Sequence, residues 1–258
     1  MNDEMPMHRR PVAVVVGGSS GIGNAIAIRF AKEGWRVVLA AIDADKTIQE
    51  TANLPGNDHL PVVMDIRLPK DCKRLKSQVA AKYGAVQALI NSAGISECHG
   101  VVAGTFKEWN RQLEVMLYGG VHLCRAMTPI LRDQARIIQV TSIHHNRVIY
   151  GSSAYGMAKA AITQWIRSLA LELAPRGILA NAIAPGFVRT PMSIKKNGTN
   201  ELETEWFRDN YIRYGHLPLK RAATPDEIAG VAWFLAGPDA TYITGSVVTV
   251  DGGLSITF

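Results

Sequence analysis

The chain has 258 residues, 47% hydrophobic and 19% charged, with a formal net charge of +6. A chain of this size buries on the order of 70% of its unfolded surface, so length and composition exclude disorder and low-complexity arrays, and no apolar run approaches the roughly 18 residues that span a bilayer. Cys72, Cys98 and Cys124 are odd in number and lack CxxC spacing, which argues against a disulfide framework and a zinc site; three reduced thiols and no metal are expected.

At the N-terminus His8, Arg9 and Arg10 precede an apolar run that ends after six residues in Gly17-Gly18-Ser19-Ser20, too short for an export segment, so a cytoplasmic location is expected. Strands are predicted at 12–16, 36–41, 60–64, 88–91, 135–141, 179–184 and 246–250, alternating with helices at 23–33, 69–83, 106–131, 154–174 and 225–235. Near-continuously apolar strands separated by helices imply a parallel sheet covered on both faces. The expected fold is therefore a single α/β domain over 1–258, a doubly wound, Rossmann-like sheet of mostly seven parallel strands. The stretch 192–217 leaves this alternation, mixing Lys195 and Lys196 with Trp206, Phe207, Tyr211 and Tyr214, and reads as a lid or as a pair of surface helices. Positive charge concentrates only at 70–82 and at Lys195-Lys196, without the aromatic interleaving of a single-strand-binding surface, so no nucleic-acid partner is expected.

Two groups of residues carry chemistry. The first strand runs into Gly17-Gly18-Ser19-Ser20-Gly21-Ile22-Gly23 and then a helix; the glycines let the chain turn sharply and let a pyrophosphate approach the helix N-terminus, where the macrodipole favours anions. The spacing is GxxxGxG. Tyr155 and Lys159, four apart, share one helical face, so an ammonium beside the phenol would favour its deprotonation. Ser142 closes a strand at the sheet edge where ligands bind in such folds, and its hydroxyl is suited to hold a substrate oxygen.

Together with Asn91-Ser92-Ala93-Gly94, Tyr155-Gly156-Met157-Ala158-Lys159, Asn181-Ala182-Ile183-Ala184-Pro185-Gly186 and Val250-Asp251-Gly252-Gly253, these motifs strongly resemble the short-chain dehydrogenase/reductase family. The resemblance runs from Val12 over essentially the whole chain, in order, with Ser142 and Tyr155 13 positions apart. It implies a nicotinamide dinucleotide, with Tyr155 as general acid/base, Lys159 lowering its pKa and binding the nicotinamide ribose, and Ser142 orienting the carbonyl or hydroxyl. It further implies cofactor contacts from Gly17, Ser19, Ser20, Gly21, Ile22 and Gly23, from Asp65 and Ile66 beside adenine, and from Asn91, Ala93 and Gly94 under its ribose. Pro185, Gly186, Val188 and Thr190 match the loop that holds the carboxamide. The implied activity is an NAD(P)-dependent alcohol dehydrogenase or ketoreductase of class 1.1.1, exchanging a hydride between the nicotinamide and a secondary alcohol or its ketone.

The chain departs from the family at informative positions. Val16 stands where a threonine usually precedes the first glycine. Met116 takes the place of the helix asparagine whose amide bends the helix, holds a water and links the lysine to solvent. With a thioether there, the relay water is held by backbone carbonyls, proton exchange is slower, or another path is used; a cofactor-binding regulator and a non-redox enzyme on this scaffold are the alternatives. After the second strand Ala41 occupies the usual acidic position and Asp43 follows two residues later. A displaced Asp43 on the adenosine ribose would favour NAD, with NADP possible if Asp43 merely begins the next turn.

Substrate contacts are expected from Ser96, His144, Tyr150, Trp206 and Tyr211, for a small polar or anionic molecule with an apolar body. The resemblance also implies a homotetramer, with Gly119-Gly120, Ala160-Ala161 and Trp165 permitting close packing of helices between subunits.

Overall fold

The computed structural model describes residues 10–97, 100–102, 105–195 and 197–257. Strand β1 (Val12–Val16) is apolar throughout and wholly buried, as a central strand covered on both faces must be. It is followed by α1 (Gly21–Lys32), β2 (Arg36–Ala41), α2 (Ala44–Ala52), β3 (Leu60–Val63), α3 (Pro69–Tyr83) and β4 (Val86–Asn91). The second half comprises α4 (Phe106–Leu113), α5 (Gly119–Met127), β5 (Leu131–Val140), α6 (Ser153–Leu173), β6 (Leu179–Pro185), the single turn α7 (Glu205–Phe207), α8 (Pro225–Ala236) and β7 (Val247–Val250).

The seven strands form one sheet in the order β3-β2-β1-β4-β5-β6-β7, and every neighbouring pair is parallel. The strand order reverses between β1 and β4, and in such sheets a crevice opens at the carboxyl ends of the strands flanking that reversal. Alternate residues of β1 face opposite core layers. Val12, Val14 and Val16 pack with Leu75 of α3, Leu123 of α5 and Ile166 of α6, while Ala13 and Val15 pack with Ile26 and Phe30 of α1 and Ile228 of α8. Both faces are thus covered, and the doubly wound single sheet matches the expectation.

The differences from the sequence reading have local causes. Helix α2 was not anticipated because ADKTIQETA carries no apolar stripe; it buries only Thr47 and Thr51, and Asp43 caps its N-terminus by accepting from the Lys46 amide at 3.1 Å. The expected helix 106–131 is divided: a π turn, Glu114–Tyr118, separates α4 from α5, a 3-10 turn with Pro129 follows, and β5 already starts at Leu131. Helix α1 begins at Gly21 rather than at 23. The stretch 192–217 folds as short turns of helix, the longest being the π turn Arg208–Arg213. Gly119 and Gly120 are buried inside the protomer, where an added Cβ would lie 2.9 Å from Ile66 and 3.3 Å from Asn91 respectively, so their smallness already serves intramolecular packing. Cys72 and Cys124 are buried free thiols; Cys98, Lys196, His8 and Arg9 lie outside the described residues. Among the described residues no helix is long and apolar enough to cross a membrane.

Candidate active site

A cleft of about 820 Å³ lies at the carboxyl end of the sheet and gathers the ends of β1, β2, β5 and β6, the segments that follow β3 and β4, and the 192–217 segment. At one end is the glycine turn. Gly17 and Gly21 have φ of +79° and +53°, the left-handed region that side chains disfavour. A Cβ on Gly17 would sit 2.6 Å from the Ala93 amide nitrogen, so the turn and the Ser92–Gly94 segment touch backbone to backbone. Gly23 does not line the cleft; its Cβ would collide with the Gly17 carbonyl, and its role is to seat the helix on the turn. Ser20, the residue that precedes α1, makes no side-chain capping bond, and the first turn holds no acidic residue. The N–H groups at this 12-residue helix terminus therefore lack a side-chain partner beside the cleft wall formed by Ser19, Ser20, Gly21 and Ile22. This donor set, with no Cβ at Gly17 and Gly21, fits a dinucleotide pyrophosphate.

The remaining cofactor positions divide into two sets. Ala41, Asp65, Ile66, Ala93, Gly94, Pro185, Gly186, Val188 and Thr190 all line the cleft. Asn91 does not: its amide is buried, donating to Gln139 at 3.0 Å and accepting from the Ala93 amide at 3.1 Å, so it shapes the turn from behind. Asp43 also stays off the cleft wall, because its carboxylate is drawn into the α2 cap. Asp65 is held by Arg67, whose Nε lies 3.0 Å from both carboxylate oxygens, and these bonds keep its carboxyl below the usual range.

Ser142, Tyr155 and Lys159 line the same cleft. Ser142 ends the extension of β5 and accepts from the His144 amide at 3.2 Å. Tyr155 and Lys159 sit one turn apart near the start of α6, which is fastened to β5 through the Lys159 carbonyl, an acceptor for the Thr141 hydroxyl at 3.0 Å. Lys159 is buried, its Nζ 5.4 Å from the centroid of the Tyr155 ring, and it donates to the Val140 carbonyl at 2.9 Å. Burial pushes the ammonium down to about 8. Burial also raises the Tyr155 phenol, with a hydrogen bond from Ser142 acting in the opposite sense. The depressed tyrosine expected from the sequence is thus not a property of the chain without cofactor: desolvation of the phenol outweighs the Ser142 bond, and the lysine ammonium is turned to a carbonyl.

Met116 is wholly buried with Ala158 and Ile162 against Tyr155. It sits in the π turn, where the Gly119 amide donates to the Glu114 carbonyl five residues earlier. The bend in this helix therefore forms without an asparagine. A Cβ on Gly94 would lie 3.6 Å from the Met116 sulfur and 3.8 Å from Lys159 Nζ, so the thioether shares the lysine's surroundings and offers it no proton path.

On the substrate side Ser96, His144, Trp206 and Tyr211 line the cleft, whereas Tyr150 is 96% exposed and does not. The His144 ring meets that of Tyr155 edge to face at 5.8 Å, and burial lowers its pKa, so it is a neutral hydrogen-bonding group. Arg147, Glu201 and Asn210, within the 144–150 and 192–217 stretches expected to meet the substrate but not singled out there, also line the cleft, as do Arg67, Ser255 and Thr257, which sequence reasoning missed. Thr257 is brought there by its bond to the His216 carbonyl at 2.7 Å, a pairing across 41 residues that no local pattern announces.

A family model described as "Enoyl-(Acyl carrier protein) reductase" matches residues 16–255. The 3-oxoacyl-acyl-carrier-protein reductase of Thermotoga maritima is 33% identical over 250 residues, covering 95% of this chain and 98% of that one. The D-beta-hydroxybutyrate dehydrogenase of Rhizobium meliloti is 32% identical over 251 residues, covering 93% and 97%. Among solved structures, L-sorbose reductase from Gluconobacter frateurii, complexed with NADPH and L-sorbose, superposes with a TM-score of 0.87 at 32% identity, over 96% of this chain and 98% of that one. The relatives are oxidoreductases of the alcohol/ketone type, as the sequence motifs imply. With its parallel seven-stranded sheet, its glycine turn and its serine, tyrosine and lysine at one cleft, this chain belongs to the short-chain dehydrogenase/reductase family.

Proposed function

We propose that the protein is a nicotinamide-dependent reductase and dehydrogenase that interconverts a ketone and its secondary alcohol. The observation that carries the reading is that Ser142, Tyr155 and Lys159 line one cleft together with the uncapped N-terminus of α1. When bound, the nicotinamide supplies or receives the hydride. In reduction the Ser142 hydroxyl donates to the carbonyl oxygen, and Tyr155 gives that oxygen its proton as charge develops there. The phenolate so formed is stabilised by the Lys159 ammonium and regains a proton from solvent; oxidation reverses each transfer. The Val140 carbonyl holds the ammonium in place beside the phenol.

NAD is the preferred cofactor in this reading. The β2 end presents Ala41 and Ile42 to the cleft, and the nearest following cation, Lys46, faces Asp43 at 3.7 Å. Arg67, the basic residue beside Asp65, is engaged by that carboxylate. The assembly in this reading is a homotetramer. Absorbance of reduced nicotinamide with a panel of ketones and secondary alcohols tests the proposal: turnover is expected, and Tyr155→Phe should lower it by at least about a hundredfold, the lower end for a positioned acid/base. Full activity in that variant would overturn the mechanism, and tight cofactor binding without turnover would favour a regulator.

A further inference from the structure

The cleft adjoins a smaller cavity of about 150 Å³ beneath the 192–217 segment, and the two share Ile149, Phe187, Glu201, Trp206 and Tyr211. Half of its lining residues are aromatic. Phe187, Phe207 and Tyr211 meet with ring centroids 4.7 to 5.2 Å apart, and Trp206 stands 5.5 Å from Tyr211. Against these rings lies the half-buried Glu201. Asn200 shapes its turn by accepting from the Leu202 amide at 3.2 Å, and ties Glu203 through its own amide at 2.9 Å. Glu201 is left different: its carboxylate has no hydrogen bond or ion pair among the described residues, and neither has the Tyr211 hydroxyl. A half-buried carboxylate beside apolar rings that receives no hydrogen bond from the described residues is left able to accept from a ligand.

We propose that this cavity is a distal substrate subsite for a neutral vicinal diol, with Glu201 accepting from its hydroxyls and the aromatic faces packing its carbon chain. The charge on the walls selects the class. Lys195 lines the same cavity, so an ammonium would meet a like charge there, and an anionic group would meet Glu201. One carboxylate, one ammonium and one phenol together offer acceptors and donors with no net charge, which suits hydroxyl groups that both give and accept. Burial raises Glu201 while Lys195 holds it down, and burial with the Glu201 charge raises Tyr211, so the phenol remains a donor beside the carboxylate. The inference rests on the reading of the main cleft as a ketone-reducing site, and it narrows the substrate to a polyhydroxylated ketone whose far end reaches Glu201.

The test uses full-length protein with cofactor. Turnover is compared for L-sorbose, for hydroxyacetone, which lacks the distal diol, and for a cationic amino-hexanone and an anionic oxo-hexanoate of similar length. L-sorbose should be favoured over both charged ketones in kcat/KM, and Glu201→Gln should reduce the ratio of L-sorbose to hydroxyacetone efficiency by about tenfold, mainly through KM, as for a lost charged hydrogen bond. Equal or better use of either charged ketone, or an unchanged ratio in Glu201→Gln, would overturn the subsite. A second measurement is independent of turnover: sorbitol should quench tryptophan fluorescence in the cofactor complex, the quench should vanish in Trp206→Phe, and Glu201→Gln should weaken it. If sorbitol binds in this manner and no ketone is reduced, the subsite stands and the proposed activity falls; if ketones are reduced and sorbitol binding ignores Glu201, the activity stands and the subsite falls.

Discussion

Lys159 Nζ donates to the carbonyl of Val140 at 2.9 Å, and this strand-to-helix bond fixes the ammonium in a buried position behind Tyr155. The consequence is a cation whose pKa burial lowers to about 8 from an ordinary 10.5. Between these values the unfolded chain keeps the lysine proton and the folded chain has lost it, so stability gains from this group as pH rises.

Buried thiols oppose that gain at higher pH. Cys72 and Cys124 are raised to about 11 and about 12, so above pH 9 the folded state binds more protons than the unfolded one and stability falls. Urea unfolding of the cofactor-free protein should therefore show stability rising from pH 8 to 9, the window in which Lys159 alone of the three is releasing its proton. Lys159→Met should abolish the rise; its persistence in that variant would assign the slope to other groups.

Met116→Asn places an amide where the family has one, in a pocket whose π turn already exists. Because the walls are mostly apolar, with Ala158 and Ile162 buried and Leu113, Val115 and Leu117 packed against them, an amide that finds no bond there should cost about 1 to 3 kcal/mol of stability. Activity should stay within about tenfold, equivalent to roughly 1.4 kcal/mol of barrier. Thermal unfolding and steady-state kinetics measure the two effects, and a larger gain in rate would show that the thioether limits proton exchange.

Asp43→Ala separates capping from cofactor choice. The carboxylate accepts from the Lys46 amide, so its removal should cost about 1 kcal/mol of stability, the usual worth of an N-cap. NAD should be favoured by the wild type in kcat/KM. Since Asp43 is engaged by the helix, the variant should alter the NAD to NADP ratio by less than about fivefold, near 1 kcal/mol. Comparable or better efficiency of the wild type with NADP would remove the NAD preference.

Light scattering at micromolar concentration should report a tetramer. The exposed side chains of Met157 and Leu171 on α6 and of Ile256 near the C-terminus, at 52%, 78% and 83% of full exposure, are apolar surface that such an assembly would cover. A monomer at that concentration would leave these side chains without the partner proposed for them.

Most strands, the parallel sheet and the helix that carries Tyr155 and Lys159 were legible because each carries a local pattern. β1 reads as a buried strand from five apolar residues, and the four-residue spacing of Tyr155 and Lys159 places both on one face of α6. Helix α2 was illegible because its burial falls on two threonines, and the π turn at Met116 because one extra residue in a helical turn leaves the hydrophobic period nearly unchanged.

What the sequence by itself determined was the family, the seven strands with most of the helices between them, and the residues able to do acid/base chemistry. These follow from short-range spacing, steric demands at glycines and the reactivity of side chains. Only the tertiary structure decided that Asp43 caps a helix, that Asn91 stands behind the cleft and Tyr150 outside it, and that Glu201 faces a box of aromatic rings. Those outcomes depend on which polar group reaches a given side chain first and on how much water the fold removes from it. Both are set by contacts between segments distant in the chain.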